Sequence, residues 1–307
     1  MLKETRLQKR KILVLSKQER QKLRLGLAFI SPWIVGFLFF TLYPIFSSLY
    51  YSFTDYGLFG SPTWVGIQNY VDLFTKDDKF FLSLYNTVFF FLLAMPASVV
   101  MAIFLAILLN SKLRGMTFFR SLFFLPTIVP AVASAALWMW ILNPQWGLLN
   151  TSLRLVGVHG PPWLSTPDWA KPSLVLVALW TIGSEVIIYL AALQEIPRDY
   201  YEAALVDGAN AIQRTRFITL PMITPVIFFH LVNGTIWAFQ YFTEAYVMTG
   251  GGPANATLFY ALYLYRNAFT SLKMGYASAQ AWILFIVVMI ATLIIVRSSK
   301  GWVYYEE

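Results

Sequence analysis

The chain has 307 residues, of which 58% are hydrophobic and 12% charged. Soluble domains carry about 25% charged residues, so this composition excludes a large soluble domain and implies a polytopic membrane protein. The net charge of +8 does not describe a nucleic-acid face, because nine of the 23 Lys and Arg precede Leu25, beside the first apolar run. Basic residues next to a span mark its cytoplasmic side. The absence of Cys excludes disulfides and thiolate metal sites, and His159 and His230 are too far apart to make a metal site alone.

Residues 1–24 are polar and basic, with Lys9, Arg10 and Lys11 adjacent. They are expected to form a cytoplasmic tail near anionic membrane lipid. At about 20 residues per crossing, six spans follow: 25–49, 84–109, 121–142, 172–193, 222–245 and 276–296. The expected fold is all-α, with residues 84–297 as a five-helix core and 298–307 as a short tail. Pro32 and Pro44 kink or bound the first span, and Pro126 and Pro130 lie near the start of the third. The loop after the fifth span opens with Met248-Thr249-Gly250-Gly251-Gly252-Pro253, read as a flexible turn. Its second half, Thr257 to Thr270, is expected as an amphipathic helix on the membrane surface.

Six spans put both termini on one side. The segments on that side carry 17 Lys and Arg and the opposite loops carry 6, so both termini and the loop 199–221 are expected in the cytoplasm.

That loop is built like a rigid element. Asp199 is placed to cap a helix starting at Tyr200, with Glu202 three residues on. Gly208 suits the left-handed turn that ends such a helix. Asn210 caps a second helix, and Pro221 and Pro225 open the next apolar run. The stretch EAALVDGANAIQRTRFITLP resembles the EAA loop of permease subunits of binding-protein-dependent ABC importers. Glu202, Ala203, Ala204, Asp207, Gly208, Ala209, Ile218, Leu220 and Pro221 match that pattern. Thr215 stands where the family often has Phe, a packing role that Phe217 can take.

Polar groups inside spans are costly and usually functional. On the fifth span, Asn233, Trp237, Gln240, Tyr241 and Glu244 recur at helical spacing, with His230 one turn earlier. On the fourth, Trp180, Ser184 and Ile188 share a face, with Glu185 beside it. Aromatic rings stack on the apolar face of a sugar while amides and carboxylates bond its hydroxyls. These residues, Trp180, Ser184, Glu185, Asn233, Trp237, Gln240, Tyr241 and Glu244, are therefore candidate substrate contacts. Helix–helix hydrogen bonding is the competing explanation.

No catalytic set is present, and no G-x-x-x-x-G-K-[ST] loop that would hold ATP phosphates. Asp77 and Asp78 read as a solvated loop. Pro32-Trp33-Ile34, Trp64 to Tyr70, Phe124-Leu125-Pro126, Trp140 with Asn143-Pro144 and Gly147, and Met248 to Thr257 extend the resemblance to the six-span permeases of carbohydrate uptake, the maltose/oligosaccharide and glycerol-phosphate type.

The resemblance implies a type I ABC importer permease in a prokaryotic cell membrane. It implies a second homologous permease, two ATP-binding subunits that hold ATP and Mg, and an extracytoplasmic solute-binding protein. Tyr201, Glu202, Ala203, Ala204, Asp207, Gly208 and Ala209 would dock one ATPase. The chain itself would be no enzyme and bind no cofactor, metal or nucleic acid. A permease for glycerol phosphate or a polyol is the alternative. A secondary transporter or a lipid-linked glycosyltransferase fits less well.

Overall fold

The computed structural model describes residues 17–111 and 114–304. The expected basic tail therefore lies outside the described residues as far as residue 16, as do Lys112 and residues 305–307.

A continuous helical run opens the described chain: α1 (Lys17–Phe37), a π-helical turn (Leu38–Leu42) and α2 (Tyr43–Ser52). Pro44 has no N–H to donate, and the wide turn lies immediately before it, where a regular ladder would break. None of the α1 side chains is buried within this chain. A two-residue hairpin follows, β1 (Thr54–Asp55) antiparallel to β2 (Thr63–Trp64), then α3 (Gln68–Thr75).

The central element is α4 (Asp78–Leu109), whose 32 residues span about 48 Å at 1.5 Å per residue. Asp77 caps it by accepting from the N–H groups of Lys79 and Phe80. Ser83, Thr87, Ala94, Ala102 and Ala106 on α4 are buried, and such small residues let neighbouring helices approach closely.

Five further helices follow: α5 (Met116–Ile128), α6 (Ala131–Ile141), α7 (Leu148–Leu155), α8 (Pro167–Trp180) and α9 (Gly183–Glu195). Next come α10 (Arg198–Val206), α11 (Ala211–Arg214), a π-helical turn (Thr215–Thr219) and α12 (Leu220–Met222). The last are α13 (Thr224–Phe239), α14 (Tyr260–Tyr265) and α15 (Met274–Ser299). Helices α8, α9, α13 and α14 all pack on α4, while α2 and α13 pack on α15.

Among the described residues, three helical runs are long and apolar enough to cross a membrane: Lys17–Ser52, α4 and α15. Three further stretches reach that length only as bent pairs. The third span, read as 121–142, is α5 and α6 turned by 103° at Pro130. The fourth, read as 172–193, is α8 and α9 turned by 50°. Gly183 sits at that bend, where an added Cβ would lie 2.3 Å from the Phe123 carbonyl oxygen, so only Gly lets the broken helix seat on α5. The fifth, read as 222–245, is preceded by a 62° bend between Ala211–Met222 and α13, and its helix stops at Phe239.

The segment 257–270 is not a surface helix. Thr257, Leu258, Tyr260 and Leu262 are buried, with Asn267 and Ala268, and α14 packs on α4 and α15. Nor is the glycine turn loose. Arg266 Nη2 donates to the Gly250 carbonyl, and the Thr257 hydroxyl donates to that of Gly252 at 2.7 Å. Asn86 on α4 donates to the carbonyls of Asn255 and Leu258, while Lys171 Nζ donates to the Asn86 Oδ1 at 3.1 Å. Asp77 is likewise no solvated loop residue: Tyr263 and Tyr276 donate to its Oδ2 at 2.7 and 2.5 Å. Three distant segments thus meet at the start of α4.

Candidate functional site

A cavity of about 390 Å³ opens where the bent pairs meet α4. Met95 and Ser98 come from α4, Thr127 from α5, Ser134 from α6 and Thr181 from the α8–α9 break. Glu185 and Tyr189 come from α9; His230, Asn233 and Trp237 from α13. Irregular backbone at membrane depth is tolerated where it lines such a cavity, because its freed polar groups find partners there.

Two helices are joined at the cavity wall by one bond: the Tyr189 hydroxyl and His230 Nδ1 are 3.0 Å apart, both side chains being buried. Asn233 Nδ2 donates to the Phe229 carbonyl at 2.9 Å, leaving its Oδ1 free of that bond. Glu185 Oε2 and Ser134 Oγ, both buried atoms, have no hydrogen-bond partner among the described residues. Trp237 stands at the wall, 5.2 Å centroid to centroid from Tyr241.

Of the eight candidate substrate contacts, Glu185, Asn233, Trp237 and Glu244 line this cavity, and Trp180, Ser184, Gln240 and Tyr241 do not. The expectation of one continuous helical face fails because α13 ends at Phe239. Gln240 has left helical geometry, at φ −102°, and is exposed. Glu244 reaches the cavity from beyond the break. Tyr241 is buried instead, stacked on Phe90 at 4.4 Å and edge-on to Phe259. Trp180 lines a second, apolar groove and meets Trp138 edge-on. Ser184 is exposed on α9 outside the cavity. Residues the spacing argument missed are Ser98, Thr127, Ser134 and Tyr189. Tyr189 was within reach, being four residues after Glu185 on one helix.

The loop 199–221 forms a separate feature. Its first helix, α10, begins at Arg198, so Asp199 is not its cap. Pro197, at φ −58° and ψ 136°, holds the cap position without a side-chain bond. Asp199 instead sits in the first turn, where a carboxylate favours the helix dipole. Gly208 adopts φ +77°, and the Gly208 and Ala209 N–H groups donate back to Leu205 and Ala204. Asn210 and Gln213 form a reciprocal capping box at 2.9 and 2.8 Å. The Tyr201 hydroxyl lies 2.9 Å from that of Thr219, tying the two halves of the loop together. Glu202 and Ala203 are exposed, as are Leu205, Val206, Ile212 and Phe217. No group of three or more His, Asp or Glu that could hold a metal occurs among the described residues.

Residues 76–303 match the family model of the binding-protein-dependent transport system inner membrane component. The chain belongs to this family. It is an integral membrane permease, a transport subunit rather than a catalyst. It is 45% identical over 286 residues to the probable ABC transporter permease protein YesP of Bacillus subtilis, covering 92% of each chain. It is 39% identical to the lactose transport system permease protein LacF of Rhizobium radiobacter, covering 87% of this chain and 91% of that one. Its fold matches a chain of a bacterial alginate ABC transporter in complex with an alginate pentasaccharide-bound periplasmic protein. There the TM-score is 0.82 at 25% identity, covering 92% of this permease and 96% of that chain.

Proposed function

We propose that this permease forms half of the translocation pore of a sugar or oligosaccharide importer in a prokaryotic cell membrane, crossing it six times with both termini in the cytoplasm. A second homologous permease completes the pore, and an extracytoplasmic solute-binding protein delivers the carbohydrate. Two ATP-binding subunits, which hold ATP and Mg, supply the energy. The solute passes at the cavity bounded by Glu185, Asn233, Trp237 and Glu244.

The observation that carries this reading is the surface of the loop 199–221. Val206 is 88% exposed, Ile212 79% and Phe217 68%, on a segment whose backbone is fixed by a left-handed Gly208 and a capping box. Apolar groups held rigidly toward water mark an interaction site. A rigid knob transmits motion, as a loose loop would not. With Tyr201, Glu202, Ala203, Ala204, Asp207, Gly208 and Ala209 around it, this knob seats in the ATPase. ATP-driven closure of the ATPase pair then moves it and switches the pore between inward-facing and outward-facing states.

The test is uptake by the complete importer in proteoliposomes. Transport of a neutral disaccharide is expected to require internal ATP. Glu202→Lys is expected to leave membrane insertion intact, lower the amount of co-purified ATPase subunit and abolish uptake. Normal uptake by Glu202→Lys would remove the coupling role from this loop. Uptake without an ATPase subunit would replace the importer reading with a secondary transporter.

A further inference from the structure

We infer that Glu185 and Glu244 make this half of the pore an anion-rejecting filter, so that the solute it passes is an uncharged polyhydroxylated sugar and not a uronate or a sugar phosphate. The inference rests on the reading of the cavity as the carbohydrate site and narrows it. It starts from the charges at the wall. Glu185 and Glu244 both line the cavity, and no Lys or Arg is among its lining residues. His230, the other titratable cation candidate, has its Nδ1 engaged by the Tyr189 hydroxyl.

The hydrogen-bond inventory points the same way. Glu185 Oε2 has no partner among the described residues, nor has Ser134 Oγ on α6, which lines the same cavity. An ionised carboxylate only accepts, so it calls for a hydroxyl donor, and a serine hydroxyl can answer either way. A neutral sugar brings both donors and acceptors. A carboxylated or phosphorylated sugar brings more acceptors and a like charge, which is unfavourable beside two carboxylates. Selectivity then comes from repulsion of the wrong solute as much as from attraction of the right one. Trp237 supplies an apolar face for the ring, a contact indifferent to charge at the sugar's end.

The experiment reads binding by the purified importer complex, without the binding protein, so that the latter's preferences do not enter. Lactose and lactobionate, its C1 carboxylate, are presented together at equal concentration, and saturation transfer from protein to each sugar is measured by NMR. In wild type the lactose signal is expected to exceed the lactobionate signal about tenfold, equivalent to about 1.4 kcal/mol. Glu185→Gln combined with Glu244→Gln is expected to bring the ratio toward unity. Glu185→Asp combined with Glu244→Asp, which keeps both charges, is expected to retain discrimination. Both signals come from one sample, so a loss of folded protein scales them together and leaves the ratio untouched. Equal signals in wild type, or a ratio unmoved by the glutamine pair, overturn the filter while leaving the carbohydrate site standing. Saturation of neither sugar in wild type overturns the carbohydrate reading itself.

Discussion

At the Asp77 end of the molecule, a carboxylate, an amide and a lysine are all bonded inside the chain. At the Glu202 end, several large apolar side chains face outward with none of the described residues over them. Asp77 caps α4 and accepts from Tyr263 and Tyr276. Asn86 holds the backbone of the 250–258 turn and is itself held by Lys171, whose Nζ also lies 4.6 Å from the Phe89 ring centre. The backbone of the Glu202 end is held by local devices, a capping box and a left-handed glycine. The difference separates a part whose polar groups find their partners within the permease from a part whose large apolar groups are left uncovered by the described residues.

The comparison is broken most directly at the exposed apolar residues. Val206→Asp combined with Ile212→Asp is expected to reduce co-purified ATPase subunit more than tenfold. The same pair is expected to change the thermal stability of the isolated permease by no more than about 0.5 kcal/mol, as usual for exposed sites. A large loss of stability in the isolated chain would mean that these residues pack within the permease, and the contrast between the two ends would vanish.

Asp77→Ala is the reciprocal case. It removes a cap worth about 1 kcal/mol and leaves two partly buried tyrosine hydroxyls without their charged acceptor, so about 3 kcal/mol of intrinsic stability should be lost. Unfolding of the purified permease in detergent measures it, with Asp78→Ala as the control expected to stay within about 0.5 kcal/mol. Asn86→Ala should cost a similar amount, because it strands two carbonyls and the Lys171 ammonium together. If both variants matched the control, the Asp77 end would owe its order to apolar packing alone.

These two ends also differ in how much of them the sequence discloses. Gly208 and Asn210 act on backbone within a few residues of themselves, and their roles are legible from spacing and residue type. The helix starts two positions earlier than the spacing predicts, because Pro197 with its fixed φ sets the cap and Asp199 only resembles one. At the other end, the partners of Asp77 lie 186 and 199 residues away in the chain. No local pattern announces them, and Asp77-Asp78 reads as a polar loop. The cavity is intermediate. Glu185, Asn233 and Trp237 are legible as polar or amphipathic residues inside apolar runs. The end of α13 is not, since Phe239-Gln240-Tyr241 contains neither Gly nor Pro. It breaks where Tyr241 turns in to stack on Phe90, a tertiary event that periodicity cannot see.

A smaller effect sharpens the local side of the contrast. Asn210→Ala removes the capping-box acceptor for the Gln213 N–H and should cost about 1 kcal/mol. Hydrogen exchange should place that loss in α11 and the adjoining turn only, with α4 protection unchanged. Loss of protection spreading to α4 would show that the loop and the core unfold together, and the knob would then be part of the core's cooperative unit.

The smallest expected effect is one of pH, and it tests the Asp77 cluster from its other side. Tyr263 donates to Asp77, and burial first, then that bond, push its hydroxyl up to about 12 from an ordinary value near 10. The folded state therefore holds this proton more tightly than the unfolded chain does. Its contribution is fully present below pH 10 and is lost as the pH rises through 12. Because Tyr263 is only half-buried, solvent screening keeps the effect modest. Wild type is expected to unfold at a higher temperature than Tyr263→Phe at pH 9, with the gap closing steadily between pH 10 and pH 12. A gap that stayed constant over that window would mean the Tyr263 hydroxyl does not hold its proton for Asp77, and the cluster would then rest on Tyr276 and the helix cap.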